Sequence, residues 1–359
     1  MEIKLMNSAN SSPDQVLEME MREIGKTGIK ASVLGFGTGD NAGLMVLGTS
    51  QEQRDAVSLA IDHGINYFDT SPDYGKGRAE ENLGRALKGR RQDVLITTKV
   101  EIMPADQLRI SQKVKESLEH SLRRLDTDYI DILMIHNPPC LENDWKRTTW
   151  APLTPRDFLD EKGPLVALEQ LIKSGNVRIG GIACEDAQPQ ALAQLVSHPA
   201  VSILNVWLNM LNPSSLLNAD THSIHGPVDY RDIATMADNN HVAIAGFRAL
   251  GGGSLMSAAS GNLKRHPIAG GAFTRNADHY KREVDLALQL VSQLGIDSSE
   301  SMAALAYRFN ITDPRITTTV AGFSEIDHLK GAIKSLQRGA LPVDQMQKIL
   351  NVWHQLYMK

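Results

Sequence analysis

Ser32-Val33-Leu34-Gly35-Phe36-Gly37-Thr38-Gly39-Asp40 decides between two architectures for this chain. It reads as a first buried strand, Ser32–Thr38, running into a glycine-bearing loop. In an open, doubly wound sheet that binds a dinucleotide, Gly-x-Gly-x-x-Gly follows the first strand and a helix opens at once. Here glycine stands only at the alternate positions 35, 37 and 39, and no helical pattern begins there. Downstream, the strand pattern returns at Tyr67–Thr70, Val94–Lys99, Tyr129–His136, Val177–Ala183, Ile203–Leu208, Val242–Arg248 and Ile316–Ala321. Between these runs lie segments of helical period at Glu52–His63, Ala79–Leu87, Ala105–Leu125, Pro164–Lys173, Gln188–Val196, Tyr230–Asn239, His279–Leu294 and Asp327–Leu336. Strands apolar on both faces that alternate with helices form a parallel sheet covered by helices. Eight such strands without the dinucleotide fingerprint predict an α/β fold closed as a (β/α)8 TIM barrel.

Composition narrows the class further. The 359 residues are 42% hydrophobic and 22% charged, values that support a large packed core. Against 37 basic residues stand 42 acidic ones, a net charge of −5 without any basic block, so nucleic acid is not an expected partner. Two cysteines, Cys140 and Cys184, make no disulfide framework, and a reducing, cytoplasmic setting is expected. No apolar run is long enough for a bilayer, and the opening MEIKLMNSANSSPDQ lacks the basic end and apolar run of a signal peptide. Residues 1–21 read as a flexible N-terminal extension and 22–359 as one barrel domain. Ile349, Val352, Trp353 and Leu356 recur at helical spacing and predict a C-terminal helix, Val343–Tyr357, packed on the barrel. The sequence carries no sign of oligomeric state.

Strand ends carry the chemistry, because loops that follow barrel strands build the face where active sites form. Asp69 ends the second strand, Tyr74 follows in the loop Ser71-Pro72-Asp73-Tyr74-Gly75, Lys99 ends the third strand, and His136 ends the fourth. Tyrosine, with a free pKa near 10, becomes a usable acid when a neighbouring ammonium favours its phenolate. A carboxylate behind the lysine holds that ammonium in place, and a histidine donates to a substrate carbonyl. Each residue alone has an ordinary explanation: a helix cap for Asp69, a turn for Tyr74, a snorkelling cation for Lys99, a strand cap for His136. Four of them at successive strand ends point to proton transfer at a carbonyl oxygen.

The residues that carry this pattern resemble those of the aldo-keto reductases. The resemblance runs through Gly64-Ile65-Asn66-Tyr67-Phe68-Asp69-Thr70-Ser71, Tyr74-Gly75 and Ala79-Glu80-Glu81-Asn82-Leu83-Gly84. It continues through Ile96-Thr97-Thr98-Lys99, Ser117-Leu118, Asp128-Tyr129-Ile130-Asp131 and His136, with Arg22-Glu23-Ile24-Gly25-Lys26-Thr27-Gly28 similar to the hairpin at the barrel bottom. It covers about residues 22 to 335, and the first half is most similar to the aldose and sugar-lactone dehydrogenase branch. It implies a barrel that reduces carbonyls with NADPH or NADH, or oxidises alcohols in reverse. It further implies Tyr74 as general acid and base, Lys99 and Asp69 as its tuners, and His136 as the carbonyl donor. The substrate it implies is a small carbonyl compound, alcohol or sugar, with no membrane partner.

The second half departs from the family pattern. Where the family shows Gly-Val-Ser-Asn after strand five, this chain has Gly181-Ile182-Ala183-Cys184, leaving Cys184 as a weak donor to nicotinamide. Asn205 stands for the expected Gln, Phe247 for the stacking Tyr, and Arg248, to meet the pyrophosphate or close an ion pair, for a Ser. After Leu250, itself a cofactor candidate, the glycine run Gly251-Gly252-Gly253-Ser254 lets backbone amides approach a phosphate. In the final cofactor stretch, Gly322 and Ser324 are followed by His328 at the arginine position, with Gly331-Ala332 for Glu-Asn. A 2′-phosphate loses its bidentate partner there, so either NADP or NAD is expected, with NAD slightly preferred. Asp220-Thr221-His222-Ser223-Ile224-His225 lacks a third metal ligand and is read as substrate contact, not as a zinc site. Trp145, Trp150 and Trp207 are candidates for an apolar wall. Substrate choice is expected from the loop after His136, from Asn209–Pro227 and from Leu44–Leu47. Two other functions remain open: a barrel that binds nicotinamide cofactor as a sensor or scaffold, and a lyase or epimerase using the same four residues.

Overall fold

A computed structural model describes residues 18–146, 150–217, 229–261, 267–268, 277–296 and 298–357. An antiparallel hairpin of β1 (Met21–Glu23) and β2 (Lys30–Ser32) precedes the barrel. The pairing begins at Met21, opposite Ser32, one residue inside the segment expected to be an extension. Eight parallel strands then close on themselves: β3 (Leu34–Gly37), β4 (Tyr67–Asp69), β5 (Leu95–Val100), β6 (Ile130–Ile135), β7 (Val177–Ala183), β8 (Ile203–Trp207), β9 (Ala243–Phe247) and β10 (Thr318–Gly322). The ring closes between β10 and β3, where Thr319 pairs with Leu34 and Gly322 with Gly37. This is the (β/α)8 TIM barrel.

Side chains alternate across each strand, so the barrel separates two cores. Tyr67, Leu95, Ile132, Met134, Ile179, Ile203, Ala243, Ala245 and Val320 fill the inside, and Ile24 and Ala31 of the hairpin plug its bottom. Arg22 anchors the hairpin by donating to the carbonyls of Ile311, Asp313 and Ile316. The opposite faces of the strands pack against the helices in a larger apolar layer.

The helices follow the sequence periodicity closely where one face is apolar. Ser50–Asp62 starts at a capping box in which Thr49 and Glu52 exchange hydrogen bonds. Pro164–Lys173 and Val343–Tyr357 lie where the pattern puts them. The helix Ala105–Leu125 begins later, at Ile110, after a short 3-10 turn at Pro104–Asp106. One long helix escaped the pattern, Ser299–Thr312. Met302, Ala306, Phe309, Asn310 and Ile311 are all buried there, so it is covered around much of its circumference and shows no strong polar face. Of the long loops, the one after His136 holds a bridge between Pro139 and Leu153 and a helix at Pro155–Leu159. No helix among the described residues is long and apolar enough to cross a membrane.

Candidate active site

Inward parity places the site. The residues that continue the inner face to the C-terminal rim are Asp69, Lys99, His136, Ala183, Asn205, Phe247 and Gly322, each two or four positions beyond an inner-core residue on its strand. All of them line one cavity of about 490 Å³, together with Tyr74, Arg248, Leu250, Gly252, Ser324 and His328.

At its floor, the Lys99 ammonium is 1% exposed and lies 2.7 Å from Asp69 Oδ1. It also donates to the Thr70 carbonyl at 2.8 Å and to the Tyr74 hydroxyl at 3.4 Å. Tyr74 reaches the lysine because its loop coils through the left-handed region at Gly75 and Lys76. A Cβ at residue 75 would meet Val46, so glycine is required there.

The lysine does not leave Tyr74 acidic. Burial drives the phenol well above 10, and the carboxylates of Asp69, Glu185, Glu101 and Asp73 drive it further in the same direction. Tyr74 therefore holds its proton at neutral pH, and the expectation of a depressed value is corrected. The lysine does not offset burial, because Asp69 sits on the same ammonium that faces the phenol.

His136 has a partner that the sequence pattern did not indicate. Its Nδ1 lies 3.0 Å from Glu101 Oε1, which also accepts from Ser71 Oγ at 2.9 Å. Trp150 stacks on the imidazole with centroids 4.0 Å apart. Trp207 instead lies under the Arg248 guanidinium, 3.8 Å from its ring centroid, and Trp145 packs against the outer core.

On the cofactor side, Asn205 Oδ1 is buried with no hydrogen-bond partner, as a group awaiting a ligand amide would be. Gly251, Gly252 and Gly253 all take positive φ and turn the chain around the cavity rim. The Arg248 guanidinium packs under this turn, where a Cβ on Gly252 would strike its Nη2. Phe247 offers its ring to the same space. These groups fit the amide, ring and pyrophosphate of a nicotinamide cofactor.

Cys184 does not belong with them. It is fully buried in the outer apolar layer, its Sγ against the Ile182 carbonyl, and burial pushes its thiol well up. Strand alternation turns Ala183 inward and Cys184 outward, and Glu185 lines the cavity in its place. At the far end, His328 Nε2 sits 3.3 Å from Glu325 and Lys330 sits 2.8 Å from Asp327, all on the surface. The residues Asp220 to His225 fall outside the described residues.

Glu283 faces Arg248 Nη2 at 3.8 Å and is missing from the sequence reading altogether. Burial raises its carboxyl from 4.5 to about 7, with Arg248 acting against the shift. The folded chain then holds this proton more tightly than the unfolded chain between those two values. Stability gained at low pH is lost as pH rises through that window, by up to about 3 kcal/mol. Glu283→Gln should flatten this dependence, as read from urea unfolding at pH ~5 and ~8.

Known proteins resemble this chain in sequence and in fold. The aldo-keto reductase YhdN of Bacillus subtilis is 34% identical over 172 residues, covering 46% of this chain and 47% of that protein. A probable voltage-gated potassium channel subunit beta of Arabidopsis thaliana is 36% identical over 126 residues, covering 33% and 38%. The chain thus spans half or less of the length of these two relatives. L-glyceraldehyde 3-phosphate reductase of Escherichia coli K12 is 23% identical over 379 positions, covering 96% of this chain and 97% of that one. In fold, the holo form of aldo-keto reductase AKR11C1 from Bacillus halodurans superposes with a TM-score of 0.68 at 23% identity, covering 93% and 96% of the two chains. The sequence pattern of the Aldo/keto reductase family matches residues 33–354, and with that match and this barrel the chain belongs to the Aldo/keto reductase family.

Proposed function

We propose that the chain is an NAD(P)-dependent oxidoreductase that interconverts a small carbonyl compound and its alcohol. The observation that carries this reading is the buried ammonium of Lys99, shared between Asp69 and the Tyr74 hydroxyl on the floor of the cavity. When bound, the nicotinamide supplies or accepts the hydride at the substrate carbon. Tyr74 delivers its hydroxyl proton to the oxygen as negative charge grows there, and Lys99 steadies the phenolate left behind. Asp69 holds Lys99 in place, while His136, covered by Trp150, faces the substrate oxygen at the rim.

Four carboxylates, Asp69, Glu185, Glu101 and Asp73, act on the Tyr74 hydroxyl. An anionic substrate adds charge of the same sign at that point, so neutral aldehydes, ketones and sugars are favoured over phosphorylated ones. Incubation with reduced cofactor and a panel of such compounds, followed by absorbance of the reduced nicotinamide, tests the reading. Steady consumption supports it, and cofactor binding without consumption by any of them supports a sensor instead.

The adenine end favours NAD or a mixed preference. His328 and Lys330 are each engaged by a neighbouring carboxylate on their own helix turn, and no guanidinium stands at position 328. Fluorescence titration should give affinities for NADH and NADPH within about tenfold of each other. NADPH binding a hundredfold tighter refutes this preference.

A further inference from the structure

We propose that Glu101 is a positioning residue that fixes His136 as its Nδ1–H tautomer, so that Nε2 is bare when the ring is neutral and donates to the substrate oxygen only as imidazolium. The proposal rests on the oxidoreductase reading above and assigns Glu101 control of the hydrogen-bond donor that His136 presents to the substrate oxygen.

The argument is one of hydrogen-bond bookkeeping. An ionised carboxylate only accepts, and Glu101 Oε1 already accepts from Ser71 at 2.9 Å. The His136 nitrogen 3.0 Å away must therefore be the protonated one. In a neutral imidazole the other nitrogen then carries a lone pair. That nitrogen, Nε2, has no hydrogen-bond partner among the described residues, and His136 lines the cavity. Exchanging the two nitrogens would break the Glu101 bond in a site where the side chain is 6% exposed and Trp150 covers the ring face at 4.0 Å.

The charged groups that face this ring are Glu101 and Lys99 at the end of β5 and Asp69 at the end of β4. Burial lowers the imidazole below its ordinary value, and Lys99 adds to this, while Glu101 and Asp69 oppose it. Burial also pulls Glu101 upward, yet His136, Ser71 and Lys99 together hold it below the ordinary carboxylate range. The resting pair at neutral pH is thus a carboxylate and a neutral imidazole. Its free lone pair meets a carbonyl oxygen badly. Acid converts the ring to imidazolium, which Glu101 stabilises through Nδ1 and Trp150 through its π face. Carbonyl reduction then has a donor at Nε2.

Two measurements on the full chain decide the matter. Nitrogen-15 shifts of the His136 ring at pH ~8, assigned with a His136→Asn variant, should show Nδ1 protonated and Nε2 bare. In Glu101→Leu the neutral ring should move to the Nε2–H form. In kinetics, wild-type kcat/KM for carbonyl reduction should fall about tenfold per pH unit above a limb that lies below about pH 6.5, while alcohol oxidation does not fall there. Glu101→Leu should lose that limb, and the closer-sized Glu101→Gln should shift it down by at least one unit or lose it. Reduced-cofactor affinity should be unchanged in both, which a merely structural role of Glu101 does not predict. A bare Nδ1 in the neutral wild type overturns the proposal, as does a limb that stays put in Glu101→Gln. If the wild type turns over nothing, the oxidoreductase reading fails, but the nitrogen shifts still decide the tautomer.

Discussion

Tyr74→Phe should lower turnover by about 10²–10⁴-fold while leaving affinity for reduced cofactor within about twofold. The substitution removes one hydroxyl and keeps the ring, so the loop from Ser71 to Gly77 retains its packing. The magnitude is that of losing the proton donor at the moment charge forms on the substrate oxygen. The raised pKa sharpens the prediction, because Tyr74 keeps its proton across the neutral range and presents a full donor. Stopped-flow measurement of a single turnover isolates this step from cofactor release. A variant that keeps most of its single-turnover rate removes Tyr74 from the mechanism.

Lys99→Met should act twice. The ammonium is buried with Asp69, and taking away one member of a buried pair leaves the other charged and unsolvated. Asp69 Oδ2 has no hydrogen-bond partner as it is, so the carboxylate has little to fall back on. A cost of about 3–5 kcal/mol is expected, measured as the drop in urea-unfolding free energy. Turnover should fall as well, since a phenolate at Tyr74 loses the cation beside it. Lys99→Met combined with Asp69→Asn removes both charges and should recover much of the stability but none of the rate. That split separates the structural from the chemical role of the lysine. Recovery of both together contradicts the assignment of Lys99 to the chemistry.

Sequence reading was sufficient for elements with a strong local period. The strand Val177–Ala183 and the helix Pro164–Lys173 are where hydrophobic period and flanking Gly and Pro put them. Asp69, Lys99 and His136 stand at strand ends because buried strands are short and their last inward position is easily counted. The helix Ser299–Thr312 was illegible for the opposite reason, since its burial on several sides erases the periodic signal. Cys184 was misplaced by matching a family position without counting the alternation from Ile179. The parity was available in the sequence, and its signal is the simple period of two.

Local rules of the chain thus determined the barrel: period, caps and the missing dinucleotide fingerprint depend on residues a few positions apart. Only the tertiary structure decided what surrounds each reactive group. Glu101 meets His136 across 35 positions and Ser71 across 30, and Glu283 faces Arg248 from a helix that no pattern links to it. Trp150 covers the imidazole from a long loop, and the carboxylates around Tyr74 come from three separate segments. Protonation states depend on those through-space neighbours and on loss of water, and neither is encoded in spacing along the chain.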